Sequence, residues 1–574
     1  MKDTQRLILF VIFTFSLMML WEQWQKENRP VAPQPQATQT SPATPAAGNG
    51  TTAQVPMPSA AISTAKSAVA VPATVDASGN AAAPQQRSRI KVFTDQFSAE
   101  IDPVGGELSY LELLTQRDTG DRNRNFVLLG PEHRYSGQSG LIGEGLPNHT
   151  NLFTAAKAEY RLEDGKDTLE VRLDAAPVAG TVAQVSKVLV FQRGSHVVRQ
   201  RFDIRNTGNA ALSTHAYYQL ARDGRPGPGD NAMMSTYTGA AVYNDKEKFV
   251  KVAFSDIDKN KTPYSKSSTD GWIGMVQHYF VAAILPPENA VREFYTRKLS
   301  ENVYTAGVIL PVADIAPGAA VSIAADLYAG PQYQDVLQKL APGLDLVVDY
   351  GFLIMLAAPL FWVLQTFHGF VGNWGVAIIL LTVLLKLIFF PLSAASYRSM
   401  AKMKLVTPRL TKLREQYAND RMKMNQAMME LYKQEKINPL GGCLPILVQI
   451  PVFIALYWVL LAAVELRHAP FYGWITDLAS PETLFTIPGI AMPVGVLPIA
   501  MMLSMIVQTK MNPAPPDPVQ AKVMMIMPFA FGIMFFWFPA GLVLYWFVNN
   551  LLSIAQQWQI TRMIESAKPA IPRR

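Results

Sequence analysis

Residues Trp374–Leu392 read WGVAIILLTVLLKLIFFPL, an almost wholly apolar run that contains one charged residue, Lys386. A run of this length can cross the hydrocarbon core of a bilayer as a helix. A charge within such a helix costs roughly 2.5–3.5 kcal/mol, so it generally faces a bundle interior or a water-filled cavity. Alternatively, Lys386 extends its ammonium to the nearer interface, because Pro391 closes the run. Position alone leaves both interpretations open.

The composition indicates a membrane protein with a large water-soluble part. The chain has 574 residues, of which 49% are hydrophobic, and a net charge of +7. Apolar runs are concentrated near the start and after residue 350, whereas 90–340 has an ordinary soluble composition. Cys443 is the one cysteine, which excludes an intrachain disulfide.

The N-terminal segment is typical of an uncleaved signal anchor. A basic flank precedes the apolar stretch Leu7–Leu20, and the bulky residues after it contain no cleavage site. We therefore predict an anchor at 1–28, with its transmembrane helix at about 6–22. Residues 29–89 are rich in Pro, Ala, Thr, Gln and Ser, a composition that predicts a disordered tether.

Residues 90–340 predict a large β-sandwich in the periplasm. Strand-like patterns recur at short intervals, for example at 91–101, 168–173, 185–192 and 273–285. A helical spacing at Gln332–Leu340 predicts a capping helix. The scattered histidines show no metal-ligand spacing, and no nucleophile stands beside a base, so we assign no catalytic residue, metal or cofactor.

Charge decides the topology of the remaining chain. The segment 393–440 carries ten Lys and Arg against four acids, so it is predicted to lie in the cytoplasm. The weak run 351–371 holds Pro359 and His368 and has almost no loop after it, which favours an interfacial helix. The prediction is a membrane α-helical bundle of six transmembrane helices, five of them after the β-domain, with both termini in the cytoplasm and about 23–372 in the periplasm. Its segments are an interfacial amphipathic helix (341–372), a second span (373–392), a cytoplasmic helical hairpin (393–440), a third span (441–465), a periplasmic loop (466–486), a fourth span (487–508), a cytoplasmic loop (509–522), a fifth span (523–538), a sixth span (541–560) and a cytoplasmic tail (561–574).

Polar residues within the predicted spans suggest a hydrated groove. Thr382 and Lys386 are four residues apart and therefore share one helix face. The predicted lining is Lys386, Thr382, Gln449, Gln508, Tyr545, Trp546 and Asn549. The alternative is that the amides only hydrogen-bond between helices, an interpretation that suits Gln508 near a cytoplasmic end.

The cytoplasmic hairpin combines basic residues with methionines, and it reads as two helices at about 394–417 and 421–436. Methionine adapts its shape to varied apolar partners, although the same residues could simply pack the hairpin together. The residues predicted to contact clients or the ribosome are Met400, Lys402, Met403, Lys404, Arg409, Arg421, Met428 and Met429.

The order of these segments and four short strings resemble the YidC/Oxa/Alb family of membrane insertases, in its Gram-negative form. The strings are Ser399–Met403 (SMAKM), Asn438–Cys443 (NPLGGC), Val464–Arg467 (VELR) and Trp537–Tyr545 (WFPAGLVLY). The resemblance implies an insertase and chaperone of the bacterial inner membrane, not an enzyme, which uses a groove open to cytoplasm and lipid. Lys386 occupies the place of a basic residue that is often Arg.

The resemblance also implies partners: nascent membrane-protein clients, the lipid bilayer, the Sec translocon with its accessory subunits, and the ribosome and signal-recognition components. Two alternatives stay open from the residues alone. One is a secondary transporter with Lys386 as a midplane site, although no inverted repeat is visible. The other is a membrane-tethered carbohydrate-binding module formed by 90–340.

Overall fold

The structure is a computed structural model that describes residues 88–177, 180–227, 236–417, 420–435, 444–489, 492–512 and 518–566, together with Pro56. The predicted signal anchor and nearly all of the predicted tether lie outside these ranges. The described residues fall into two compact units, which divide between Asp349 and Tyr350. Each unit is described by itself.

The first unit is built almost wholly from strands, as the sequence predicts. The strands are β1 (Ile90–Phe93), β2 (Phe97–Asp102), β3 (Glu107–Arg117), β4 (Asn125–Leu129), β5 (Ser136–Ile142), β6 (Phe153–Ala155), β7 (Glu159–Arg161), β8 (Thr168–Ala175), β9 (Ala183–Gln192), β10 (Val197–Asn206), β11 (His215–Asp223), β12 (Gly239–Asn244), β13 (Lys248–Val252), β14 (Ser267–Ser268), β15 (Trp272–Gln277), β16 (Phe280–Leu285), β17 (Arg292–Ser300), β18 (Val303–Pro311) and β19 (Ala320–Pro331). Two helices accompany them, α1 (Phe254–Asp258) and α2 (Gln334–Leu340). The second is the predicted capping helix, and its Leu337 is fully buried.

These strands form two sheets that pack as a sandwich. In the described part, one sheet has ten strands in the order β14-β17-β18-β11-β5-β3-β2-β1-β7, with β4 beside β3. The other has nine, in the order β13-β12-β15-β16-β19-β10-β9-β8-β6. Burial alternates along β2, as expected for a strand with one face on the core. A hydrogen bond of 3.1 Å from Ser139 on β5 to Gln200 on β10 crosses the interior between the sheets.

Two segments predicted as single strands are hairpins. Residues 91–101 turn at Thr94, whose hydroxyl accepts hydrogen bonds from the backbone N–H groups of Gln96 and Phe97. Residues 273–285 turn at Tyr279, which adopts a positive φ of 67°. Both predictions were wrong because a short turn hardly interrupts the apolar pattern.

The second unit is mainly helical. Its helices are α3 (Ile354–Val371), α4 (Trp374–Ile388), α5 (Phe390–Gln416), α6 (Arg421–Gln434), α7 (Leu444–Ala462), α8 (Val496–Met511), α9 (Pro518–Met534) and α10 (Ala540–Ser566). Short 3-10 turns lie at Leu344–Val347 (in the first unit), Gly351–Leu353, Val464–Leu466 and Phe535–Trp537. A small hairpin, β20 (Phe485–Ile487) and β21 (Met492–Val494), precedes α8.

Few of these helices meet a strict criterion of length and apolarity for crossing a bilayer. Among the described residues, Gly351–Val371 meets it alone, and Trp374–Ile388 with Phe390–Leu413 meets it as a pair bent by 67°. Shorter apolar helices occur at Val448–Ala462, Val496–Met511 and Ala521–Trp537. The helix that passes alone is the one that the sequence assigns to the interface, and that assignment stays a prediction.

The structure moves three boundaries of the predicted spans. The helix of the predicted second span ends at Ile388 instead of 392, because Pro391 lies in the first turn of a new helix. The fourth span was predicted to start at 487, but its helix starts at Val496, since Pro488 and Gly489 form a hairpin turn instead. The last helix continues to Ser566 and so includes part of the predicted tail.

Candidate functional site

Lys386 lies inside the helical unit and not at its surface. The residue is 6% exposed, and its Nζ donates a hydrogen bond of 2.6 Å to the Ser553 hydroxyl on α10. That hydroxyl donates in turn to the backbone carbonyl of Asn549, at 2.8 Å. The phenol of Tyr397 on α5 bonds to the same serine. Three helices therefore place polar groups around one ammonium.

Among the residues that the structure describes, the ammonium has no acidic partner. None of the segments 374–392, 443–464, 487–507, 523–538 and 541–558 contains Asp or Glu. Within the part of the chain that the structure describes, Lys386 forms no ion pair. Burying an unpaired charge is costly. An anionic group of another molecule that binds Lys386 would therefore pair with an ammonium that is already desolvated.

Thr382 and Asn549 lie near Lys386, as the predicted lining requires. Thr382 is buried one turn before Lys386, and its hydroxyl donates to the carbonyl of Ile378 at 2.7 Å. Asn549 is half-buried and contributes its backbone carbonyl through Ser553. These residues form one polar cluster, which we call the Lys386 cluster: Thr382, Lys386, Tyr397, Asn549 and Ser553.

Further polar pairs join α8 to α10. Asn550 donates to the Ser504 hydroxyl at 2.7 Å, and both residues are buried. Gln557 donates to the Asn512 carbonyl oxygen at 3.0 Å. Gln508 is half-buried on α8, and its backbone carbonyl accepts from Asn512. The bonds made by Asn550 and Gln557 connect two helices, which is the alternative role considered for the amides, whereas the Gln508 bond lies at the end of α8 itself.

The structure does not bring Tyr545 and Trp546 to the Lys386 cluster. Tyr545 is 3% exposed and meets Phe453 edge-on at 5.4 Å between ring centroids. Trp546 packs against Phe535 and Phe538, at 4.8 and 5.6 Å. Both therefore pack among aromatic residues about one turn nearer the start of α10 than Asn549. Gln449, on α7, is half-buried.

Sequence reasoning missed Ser553 and Tyr397. Ser553 follows Asn549 by four residues and so lies on the same helix face, which is the signal that could have found it. Tyr397 was assigned to the cytoplasmic hairpin, because the helix break at Phe389 could not be seen in the apolar pattern.

The hairpin residues divide between an internal seam and an exposed surface. Val406, Leu410 and Tyr432 form a small core, against which Met403 and Met428 pack. Met429 is 52% exposed, Lys402, Lys404 and Arg409 are exposed, and Met400 is half-buried. Arg409 forms an ion pair of 2.6 Å with Glu435, which ties α5 to α6. The side chain of Arg421 lies outside the described residues. Thus some methionines pack the hairpin, while Met429 and the basic residues remain open to partners.

The β-sandwich holds a second buried lysine, Lys187, whose role is structural. Its ammonium donates to the carbonyls of Gly105 and Gly106, at 3.0 and 2.7 Å. Burial lowers the pKa of Lys187 to about 7, although the charge of Glu107 acts in the opposite direction. Within the described residues no group of His, Cys, Asp and Glu is arranged to hold a metal ion.

Two family models match the chain in succession. The model of the YidC periplasmic domain matches residues 89–363, and that of the 60Kd inner membrane protein matches residues 366–568. The class is therefore that of an inner membrane protein with a mostly β-stranded periplasmic domain.

Full-length relatives give the family. The chain is 52% identical to the "Membrane protein insertase YidC" of Dechloromonas aromatica (strain RCB), over 99% of both chains. It is also 52% identical to the protein of that name from Nitrosospira multiformis, over 98% of both. A solved structure titled "Active YidC insertase crystal structure with the first transmembrane domain resolved" is 17% identical, covers 82% of this chain and 92% of its own, and has a TM-score of 0.39. The chain belongs to the YidC family of membrane protein insertases.

Proposed function

We propose that this protein inserts inner-membrane proteins, and helps them fold, through a hydrophilic groove centred on the Lys386 cluster and open to the cytoplasm and to lipid. The observation that carries the proposal is the buried ammonium of Lys386, which donates to the Ser553 hydroxyl and has no acid in the surrounding apolar segments. A carboxylate of a client's translocated segment would supply the missing charge.

The energetics of this function require no nucleotide. Transfer of a client's apolar helix of about 20 residues into lipid is strongly favourable and can drive insertion. The polar segment that precedes or follows the helix is the obstacle, since charged side chains are costly in hydrocarbon. The Lys386 cluster reduces this free-energy cost, because an acidic residue of the client meets a fixed positive charge and hydroxyl groups partway across the bilayer. The client's helix leaves sideways past α7 and α9. Insertion is a partitioning step, so no catalytic residue is assigned.

The topology that fits this function has six transmembrane helices with both termini in the cytoplasm, and residues about 23–372 in the periplasm. The distribution of Lys and Arg supports it, because the basic hairpin then lies inside. α3 is taken as interfacial, and its exposed Met355, Trp362 and Phe370 would face the outer leaflet.

The cytoplasmic hairpin is the surface for partners that deliver clients. Lys402, Lys404 and Arg409 are exposed and suit ribosomal RNA or signal-recognition components, a contact that salt would weaken. Met400 and Met429 suit apolar client segments. The protein would act alone or beside the Sec translocon and its accessory subunits.

Reconstitution of the full chain tests the proposal. Vesicles that contain the protein are expected to insert an added membrane client with an acidic translocated tail, measured by protection of the tail from protease. Lys386→Arg should retain insertion and Lys386→Met should lose most of it. Lys522→Met, at an exposed lysine outside the Lys386 cluster, is the matched control. Solute uptake without client insertion would instead support a transporter.

A further inference from the structure

The loop between α7 and α8, here called the outer loop (residues 464–495), holds the start of α8 through one buried carboxylate. Glu482 is 6% exposed. It accepts hydrogen bonds from the backbone N–H groups of Val496 and Leu497, at 2.9 and 2.7 Å, and from the indole N–H of Trp474. A negative charge at a helix N-terminus satisfies orphan N–H groups and complements the helix dipole.

The same loop holds the starts of two other helices. The carbonyls of Leu478 and Ser480 accept from the N–H groups of Gly541 and Ala540, at 2.8 and 2.9 Å, at the beginning of α10. The ring of Phe471 lies against Gly375 in the first turn of α4, where any Cβ would collide with it. The outer loop therefore contacts and connects the N-termini of α4, α8 and α10, and α4 is the helix that carries Lys386.

The outward surface of this loop is apolar and aromatic. From Ala469 to Gly495 the sequence contains two charged residues, Asp477 and Glu482. Both are buried, at 7% and 6% exposure. Asp477 accepts a hydrogen bond from the loop itself, and Glu482 accepts from Trp474 in the loop and from the start of α8. The large exposed side chains are instead Tyr472 (66%), Trp474 (53%), Leu484 (51%) and Phe485 (60%).

We propose that the outer loop is seated in the interfacial region of the periplasmic leaflet, with Tyr472, Trp474, Leu484 and Phe485 in contact with phospholipid. The proposal rests on the topology proposed above, in which α4, α8 and α10 all begin on the periplasmic side. The loop is continuous with those helices and therefore lies at the depth where the bilayer ends. Tyr and Trp favour this depth because their rings are apolar and their polar tips stay hydrated. A periplasmic loop that faced water alone would be expected to expose its charges instead of burying them.

The hairpin of β20 and β21 gives this proposal an internal control. Phe485 and Ile487 share one face with their partners Val494 and Met492, whereas Thr486 points to the other face. Phe485 and Thr486 are both exposed, so their contact with solvent or lipid differs by orientation alone. The proposal predicts that Phe485 meets lipid and that Thr486 meets water.

The experiment is a depth measurement with spin labels on the full chain. Cys443→Ser removes the one native cysteine, after which Tyr472→Cys, Phe485→Cys and Thr486→Cys are labelled singly with a nitroxide. Each protein is reconstituted in vesicles of phosphatidylethanolamine and phosphatidylglycerol. The ratio of collisions with oxygen, which prefers lipid, to collisions with a water-soluble nickel chelate is measured by power saturation. Labels at 472 and 485 are expected to give a ratio several-fold higher than the label at 486.

Equal ratios at the three positions would overturn the proposal. Positions 472 and 485 lie on separate segments of the loop. If one of these two variants does not fold, the other one is enough for the comparison with the label at 486. Client insertion is measured with the same vesicles, so that the two proposals are tested separately. Active protein with a water-exposed label at 485 refutes the seating of the loop alone, while a lipid-exposed label in inactive protein refutes the proposed function alone.

Discussion

Removing the charge of Lys386 should slow insertion in proportion to the acidity of the client's tail. The Coulomb attraction between a client carboxylate and the Lys386 ammonium is about 4 kcal/mol at a separation of about 4 Å and an effective dielectric constant of about 20. To meet it, the ammonium gives up its hydrogen bond to Ser553, which contributes about 2 kcal/mol because the donor is charged. The difference of about 2 kcal/mol offsets most of the cost of about 3 kcal/mol for an acidic residue in the centre of a span.

Lys386→Met keeps most of the side chain's volume and loses this attraction. The expected result is a decrease of about 30-fold in the insertion rate of a client with one acidic residue in its tail, since each 1.36 kcal/mol is tenfold. Lys386→Arg keeps the charge and should remain near the wild-type rate. The assay is the initial rate of tail protection in vesicles, with clients that differ only in acidic, neutral or basic tail residues.

The comparison between tails is what can refute this reasoning. Suppose that Lys386→Met lowers the insertion rate of clients with acidic and with neutral tails by the same factor. The lysine then stabilises the bundle or extends its ammonium to an interface, and its charge does not act on clients. A loss of folded protein in Lys386→Met would produce that uniform effect, so the amount of folded protein is measured beside each rate.

Four other outcomes are expected. Deletion of 400–435 should impair client insertion, because it removes the basic helices, and unchanged insertion would contradict a role in client delivery. Deletion of 100–300 should leave insertion intact at equal protein abundance, since the Lys386 cluster lies outside it, and a loss of insertion by abundant protein would contradict this. Glu482→Ala should lower the free energy of unfolding by about 3 kcal/mol in detergent, because three donors lose a charged acceptor, whereas Glu482→Gln should lower it less. Finally, burial lowers the pKa of Lys187 from 10.5 to about 7, so the unfolded chain binds more protons above pH 7. Stability against denaturant should therefore rise from about pH 7 to pH 9 by up to about 1.4 kcal/mol per pH unit, and Lys187→Met should flatten this rise.

The sequence predicts those parts of the protein that depend on local pattern. The β-sandwich follows from repeated strand periods, and the two hairpin helices follow from charge and helical spacing around a polar break. The interior position of Lys386 was one of two open interpretations, and the structure places its ammonium on Ser553 and not at the surface. That outcome depends on how α4 packs against α10, which no local pattern encodes.

Other features depend on contacts between distant segments. Glu482 caps a helix that begins fourteen residues later, so neither its burial nor its partners can be read from its neighbours. The stretch 487–495 reads as part of a span, because a short apolar strand and a helical turn have the same composition. Pro391 is a helix-start signal that could have revealed the end of α4. The apolar run continues past Ile388 through Phe389 and Phe390, however, and so conceals the break.

The break at Phe389 makes the hairpin formed by α5 and α6 a lever. α5 has 27 residues and leaves α4 at an angle of 67°. A helix of that length extends about 40 Å, so a rotation of about 10° at Phe389 would carry its far end about 7 Å. Near the pivot, Tyr397 holds the Ser553 hydroxyl that also binds Lys386. A delivery partner that pushes the tip of the hairpin would therefore act, through a short arm, on the hydrogen bond that a client's carboxylate must replace.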